Sequence, residues 1–396
     1  MKIVVRKGDS LWYYSQLFRI PLSVLQASNM TLQPLQLDAG QAVNIPGYAT
    51  RTYIVQQQDT LSDIAKNYQV PVDMLQLANK NVDPDSITPK QQLYIPYLVK
   101  DRIIHDPDRY TYAKLQKDLQ RLITLYPFIF RRSIGKSVLS KDIFELKIGS
   151  GPKQRHINGS FHANEWITTS VIMRFLNDYA LALTTNQAIR ELQLLPFFQS
   201  VTLSIVPMVN PDGVDLVLNG ADAAEDWKDY VLDLNDGNVD FSNWKANIKG
   251  VDLNNQFPAK WDLEQVRKPA EPAPRDFPGF EPLTEPEAIT MANLAGAGEF
   301  DMLNCMHTQG EEIYWGFEGR EPTDSERIVE EFERTSGYKA IRYVDSYAGY
   351  KDWYIYHFRK PGFTFELGEG VNPLPISQFE EIYEETLGIM LATLYM

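Results

Sequence analysis

The chain has 396 residues, 44% of them hydrophobic and 23% charged, which is an ordinary globular composition and enough length for two or three domains. No apolar run approaches the ~20 residues that span a bilayer, and the single cysteine, Cys305, excludes an internal disulfide framework and reads as a small buried apolar residue. The formal net charge of −14 lies almost entirely beyond residue 99, because residues 1–99 hold eight basic and seven acidic side chains, and such a surface repels nucleic-acid phosphates.

The N-terminus, MKIVVRKGDSLW, has basic residues and aliphatics but no sustained apolar core and no small-residue cleavage site, so no secretory signal is expected. The first hundred residues then repeat at an offset of 50. VVRKGDSL (4–11) lies over IVQQQDTL (54–61), Ile20-Pro21 over Val70-Pro71, Asn29 over Asn79, and Ile45-Pro46 over Ile95-Pro96. In each copy a β-branched run (Ile3–Val5, Tyr53–Val55) predicts a strand. Asp-Ser/Thr-Leu follows as a helix N-cap, and in the second copy Leu61, Ile64, Ala65 and Tyr68 fall at helical spacing. Pro71 opens a second helix that closes at Asn79, and Gln92–Ile95 predicts a last short strand. The order is β-α-α-β, twice.

These residues resemble LysM, the peptidoglycan-binding module, in the D-(S/T)-L opening, the (I/V)-P middle, the L-x-x-x-N helix end and the closing I-P. The resemblance implies a groove for N-acetylglucosamine-containing glycan. It maps onto Gly8, Asp9 and Asn29 in a first module (residues 1–48), and onto Asp59, Thr60 and Asn79 in a second (residues 50–98). The bland alternative is a tandem packing domain without a ligand.

Composition changes near residue 100, and Asp106-Pro107-Asp108 marks a turn, so a further domain is expected over residues 105–396. Thr111–Leu125 predicts a helix, Ser140–Ile148 and Gln154–Asn158 strands, Trp166–Leu183 a helix, and Gln199–Val209 a buried strand. Helices follow at Glu285–Ala297, Ser325–Thr335 and Ser377–Tyr395, with strands at Phe300–Cys305 and Gly362–Leu367. This alternation predicts an α/β fold with a mainly parallel or mixed sheet, whose ligands gather at the carboxyl ends of the strands. Four segments stand at such ends: His162-Ala163-Asn164-Glu165, Asn210-Pro211-Asp212-Gly213, His307-Thr308-Gln309-Gly310 and Phe363–Leu367. A His and a Glu three apart converge at the start of a helix. Zn²⁺ takes such nitrogen and oxygen donors, and catalytic sites use three protein ligands. His307 ends an apolar strand and is a candidate third, although a lone histidine there is more often structural.

Together, FHANEW, VNPDG, GVDLNNQF, MHTQG and TFELG resemble, in order and rough spacing, the zinc metallocarboxypeptidase family, over residues ~110–395. The paired LysM modules, GVDLNNQFPAKW and HTQGEEIYW further resemble its bacterial γ-D-glutamyl-meso-diaminopimelate peptidase I branch. The resemblance implies one Zn²⁺ held by His162, Glu165 and His307, and Glu366 as general base and then acid. It implies a cation for the oxyanion, for which Lys245 stands where the family has an arginine, and a mobile active-site tyrosine, for which Tyr343 is preferred over Tyr347. The family clamps a terminal carboxylate with Asn-Arg after Asp-Leu, whereas this chain has Asn254-Asn255, and an arginine elsewhere (Arg275, Arg320 or Arg342) would have to supply the charge. Glu311, Glu312 and Asp352 are candidates to face a substrate ammonium.

The reading is therefore a zinc peptidase cutting the γ-D-glutamyl–meso-diaminopimelate bond of peptidoglycan stem peptides, with peptidoglycan or muropeptides as partners and neither nucleic acid nor a membrane span. The alternatives are a metallocarboxypeptidase or amidohydrolase of other specificity, and a peptidoglycan-binding protein with an inert catalytic half. With no secretory signal expected, a cytoplasmic enzyme fits, recycling wall fragments or acting on wall or spore peptidoglycan after release in sporulation or lysis.

Overall fold

A strand, a polar turn and two helices in fifty residues must close with very few side chains, and the repeat shows which ones do it. The computed structural model describes residues 1–33 and 37–396, which form two compact units. One comprises Met1–Ile103, Leu119–Phe130 and Asn177–Gln199, and the other Ile104–Asp118, Arg131–Leu176 and Ser200–Met396.

The first unit contains two βααβ modules. Strands β1 (Lys2–Val4) and β2 (Ala42–Asn44) pair antiparallel around helices Leu11–Phe18 and Leu22–Ala27. Strands β3 (Tyr48–Ile54) and β4 (Gln92–Leu98) do so around Leu61–Asn67 and Val72–Ala78. The Asp-Ser/Thr-Leu motif is a folding device. Asp9 accepts hydrogen bonds from Tyr14 Oη (2.8 Å) and Arg6 Nε (2.9 Å), and Asp59 from Tyr53 Oη and the Gln56 amide (2.7 Å each). Ser10 and Thr60 cap the following helices by accepting from the Tyr13 and Asp63 amides. Leu11 and Leu61 enter the core, each removing apolar surface worth about 2 kcal/mol from water.

Asn29 and Asn79 are locks between helix and strand. Asn29 donates to the Leu25 and Asn44 carbonyls and accepts from the Asn44 amide, and Asn79 repeats this with Leu75 and Tyr94, at 2.8–2.9 Å throughout. The side chains of Asp9, Asn29, Asp59, Thr60 and Asn79, expected to line a glycan groove, are thus bonded within the modules. At Gly8 an added Cβ would meet nothing within 4 Å.

In the second unit the strands β5 (Phe130–Lys136), β6 (Asp142–Gly149), β7 (Lys153–Gly159), β8 (Val201–Val206), β9 (Met302–His307), β10 (Glu312–Tyr314), β11 (Lys339–Ile341) and β12 (Gly362–Glu366) form one sheet in the order β11-β10-β12-β9-β7-β8-β6-β5. The central run β12-β9-β7-β8 is parallel, and antiparallel pairs flank it, β10 with β12 and β6 with β8. This is the mixed α/β sheet the alternation predicts. Every residue of β9 is buried, which is why Met-Leu-Asn-Cys-Met-His carries no alternation. Cys305 sits in it as a buried thiol that burial raises to about 12.

Three expectations shift. The strand expected over 199–209 is helical from Leu195 to Ser200 and a strand only over Val201–Val206. Asn-Pro-Asp-Gly is a helix start: Asn210 caps Pro211–Asn219 through the Gly213 amide, and Asp212 accepts from the Leu139 amide. The helix Tyr350–Phe358 has no counterpart in the sequence reading, because residues 350–355 are all buried and no apolar stripe stands out.

Two consequences are measurable. Asn79→Ala strips one buried and two half-buried backbone groups of their partner, and the module should lose about 2 kcal/mol in chemical denaturation. His156, buried in β7 with its ring 4.7 Å from that of Phe300, has its pKa lowered by burial to about 3. The unfolded chain binds that proton near pH 6.5, so the contribution is intact above 6.5 and is lost as pH falls towards 3, by up to about 4 kcal/mol. Unfolding midpoints of His156→Gln should therefore fall less steeply than the native protein's over that interval.

Candidate metal centre and active site

Parallel pairing brings three strand ends together. Gly159 of β7 pairs with Met306 of β9, and His307 of β9 pairs with Glu366 of β12. The chain leaving β7 reaches His162, which precedes the helical turn Ala163–Glu165 and the long helix from Ile167. The His-x-x-Glu pair thus opens a helix at the carboxyl edge of the sheet, beside the last residues of two further strands.

There the donors of His162, Glu165 and His307 all lie within 4.8 Å of one another, and the three residues are buried. Glu165 bridges the two rings: Oε1 lies 2.8 Å from His162 Nδ1 and Oε2 lies 3.0 Å from His307 Nδ1, while the two Nδ1 atoms are 3.2 Å apart. Two ligands about 2.0–2.1 Å from a tetrahedral zinc are separated by about 3.3 Å. Three buried lone-pair donors so spaced fit one Zn²⁺. They form the single such cluster among the described residues.

The surroundings hold the donors in place. The far side of the His162 ring, Nε2, lies 3.2 Å from Asp252 Oδ1. This carboxylate–imidazole pair fixes ring orientation and tautomer in metal sites. Asp252 belongs to the Gly-Val-Asp-Leu-Asn stretch, whose role for this aspartate the sequence reading did not assign. Glu165 also meets the Thr308 amide (3.3 Å) and Asn372 Nδ2 (3.4 Å), and Asn372 in turn holds the Thr308 carbonyl and hydroxyl. No spacing in the sequence singles out Asn372.

Charge follows from this geometry. Burial opposes a charged His162, but Glu165 and Asp252 outweigh it and raise its pKa to about 9. Burial likewise works against an ionised Glu165, yet the two imidazoles hold its carboxyl well below the usual range. Protons and a metal therefore compete for the same nitrogens. Burial pushes Glu366 up to about 8, reinforced by the charge of Glu165 and opposed by His162 and Lys245. A bound cation would act against that rise. Lys245 stays a cation: burial disfavours its charge, but Asp252 and Glu165 reverse the effect.

The other expected residues are placed as follows. Lys245 belongs to the site, its carbonyl accepting from the Ala163 amide (3.0 Å). Asn254 faces elsewhere, accepting from the Tyr350 amide at the start of a helix. Asn255 is buried beside it in the turn after Asp252. Tyr343 is not brought to the cluster. It is 53% exposed, donates to Glu321 (3.0 Å) and lines a cavity of about 450 Å³ with Tyr347. Glu312 is the strand neighbour of Glu366 and accepts from Tyr314 Oη, whereas Asp352 is paired with Lys351 at 2.5 Å.

Comparison with known proteins agrees with this geometry. Residues 115–388 match the zinc carboxypeptidase family, and residues 3–46 and 53–96 match the LysM domain. The chain is 52% identical over 396 residues to a γ-D-glutamyl-L-diamino acid endopeptidase 1 of Lysinibacillus sphaericus, covering 100% of both chains. It is 42% identical to the uncharacterized protein YqgT of Bacillus subtilis strain 168, covering 95% of this chain and 93% of that one. The carboxypeptidase A structure of Helicoverpa armigera shares the fold at a TM-score of 0.53 and 18% identity, over 84% of this chain and 81% of that one.

Removing the carboxylate behind His162 tests the centre directly. Asp252→Ala should weaken zinc binding by about 10- to 100-fold in a chelator-competition titration.

Proposed function

The chain belongs to the zinc carboxypeptidase family, and from that premise we propose that it hydrolyses the γ-D-glutamyl–meso-diaminopimelate bond of peptidoglycan stem peptides, with its LysM modules holding the glycan. It is a zinc metallopeptidase and a peptidoglycan-related hydrolase. The observation that carries the finer reading is the 52% identity, over the full length of both chains, to an enzyme named for a γ-D-glutamyl-diamino acid bond. No described helix is long and apolar enough to cross a membrane.

His162, Glu165 and His307 would hold the zinc, which when bound polarises the scissile carbonyl and acidifies a water. The protein's own groups then divide the proton work and the charge work. Glu366, paired with His307 in the sheet, is the side chain to take the proton of the attacking water and return it to the departing amine. Desolvation and the neighbouring Glu165 charge raise its basicity, and a bound cation would moderate that rise. Lys245, half-buried and kept a cation by Asp252 and Glu165, supplies positive charge for the oxyanion. As an ammonium it offers a point charge in place of the planar fork of an arginine. Asp252 acts through His162 and keeps its Nδ1 directed at the cluster.

The test is mass spectrometry of the products from L-Ala-γ-D-Glu-meso-diaminopimelate with and without a chelator. Free diaminopimelate should form, stop on chelation and return with zinc. Release of any other fragment would overturn the assigned bond. Glu366→Gln should lower kcat by about 100- to 10,000-fold while the zinc content stays at one per chain.

A further inference from the structure

After Gln265 the chain runs through a proline-rich stretch, Lys-Pro-Ala-Glu-Pro-Ala-Pro-Arg-Asp-Phe-Pro-Gly (268–279), that has no regular structure but does have fixed anchors. The Ala273 amide donates to the Gly250 carbonyl (3.0 Å), the Pro274 carbonyl accepts from the amides of Lys245 (2.8 Å) and Ala246 (3.0 Å), and the Phe277 carbonyl accepts from the Asp252 amide (2.8 Å). Gly250 permits this approach, since its φ is +75° and a Cβ there would come within 3.0 Å of the Ala273 nitrogen. The stretch is therefore stitched to the backbone of two site residues, Lys245 and Asp252. Between the stitches at 274 and 277 stand Arg275 and Asp276, a cation and an anion side by side.

Both remain accessible, with side-chain exposures of 51% and 32%. Arg275 uses one of its donors, Nε to Asp276 Oδ2 at 3.2 Å, and among the described residues its two terminal NH₂ groups have no hydrogen-bond partner. Both charges are felt by Lys245, Asp276 favouring its cation and Arg275 opposing it. The other two candidate arginines are engaged elsewhere: Arg320 lies 4.0 Å over the ring of Tyr356, and Arg342 is paired with Glu321 at 2.9 Å. Of the three, Arg275 has a free planar fork anchored beside the reacting centre.

We propose that Arg275 and Asp276 form the subsite that reads the zwitterionic far end of the diamino acid, the guanidinium fork taking its carboxylate and the Asp276 carboxylate its ammonium. This rests on the proposed cleavage and adds the residues that set its substrate preference. Meso-diaminopimelate carries both groups on its distal carbon, whereas lysine carries the ammonium alone. Binding exchanges two part-exposed ion pairs, Arg275–Asp276 at 3.2 Å and Lys268–Asp276 at 3.6 Å, which contribute little, for two charge-assisted contacts to the ligand, one of them bidentate.

The experiment compares kcat/KM of the zinc-loaded full-length chain on L-Ala-γ-D-Glu-meso-diaminopimelate and L-Ala-γ-D-Glu-L-Lys, for the native protein, Arg275→Gln and Asp276→Asn, with thermal midpoints as a folding control. Arg275→Gln should lose roughly 10- to 100-fold on the diaminopimelate peptide, mainly through KM, and change little on the lysine peptide, so that the preference collapses. Asp276→Asn should weaken both. Equal losses for Arg275→Gln on the two peptides, or none on the first, would overturn the subsite while leaving the reaction standing. Failure of the native protein to release diaminopimelate at all would instead sink the reaction, and the subsite with it.

Discussion

Glu165 joins two imidazole nitrogens that lie 3.2 Å apart, and the rest of the catalytic unit can be understood as the means of keeping them there. Three buried donors with their lone pairs converging repel one another unless a proton or a cation lies among them. The sheet meets that cost through rigidity. His307 ends a fully buried strand, His162 follows the neighbouring parallel strand, and Glu366 ends the strand on the other side. None of the three depends on a long loop for its position, so the spacing for a metal is set by the 4.8 Å interval between strands.

The same economy shows in the supporting residues. Asp252, Lys245 and Asn372 come from irregular segments, yet each is tied down. Asp252 and Lys245 are bonded through their amides to the proline-rich stretch, and Asn372 clasps Thr308 at both its carbonyl and its hydroxyl. Proline limits the conformations of such a stretch before it docks, which reduces the entropy lost in ordering it. Loops fixed this way can carry charge close to a reacting centre without blurring its geometry.

The modules follow a different logic. Their shared motifs are those of the fold itself: an aspartate that ties the first loop, a hydroxyl that caps a helix, a leucine in the core, and an asparagine that fastens the second helix to the last strand. A pattern repeated at an offset of 50 residues marks what the architecture requires. Residues free of that duty differ between copies, as at the exposed Trp12 and Met30 of the first module, where the second has Ser62 and Lys80.

Much of this was legible beforehand because it is local. The His-x-x-Glu pair, the buried strand leading to His307 and the glutamate in Phe363–Leu367 each show in a window shorter than ten residues, and the β-α-α-β repeat shows in the match of each fifty-residue copy to the other. The family resemblance also pointed to Lys245, which the fold places within the field of Glu165 and Asp252. What stayed illegible is what depends on chain segments far apart in sequence. The helix at Tyr350–Phe358 is buried over most of its surface and has no periodicity to read, and Tyr343 stands at a plausible spacing yet lies at the surface with Glu321. Asp252 and Asn372 act through partners 90 and 207 residues away, and Arg275 acquires its place from carbonyls on either side of it. The sequence by itself determined the donor types, their strand-end positions and the module architecture, since local propensity and burial pattern dictate these. Only the tertiary structure decided which polar groups share one buried volume, because the pairing of strands and the docking of loops bring together charges that no window of sequence contains.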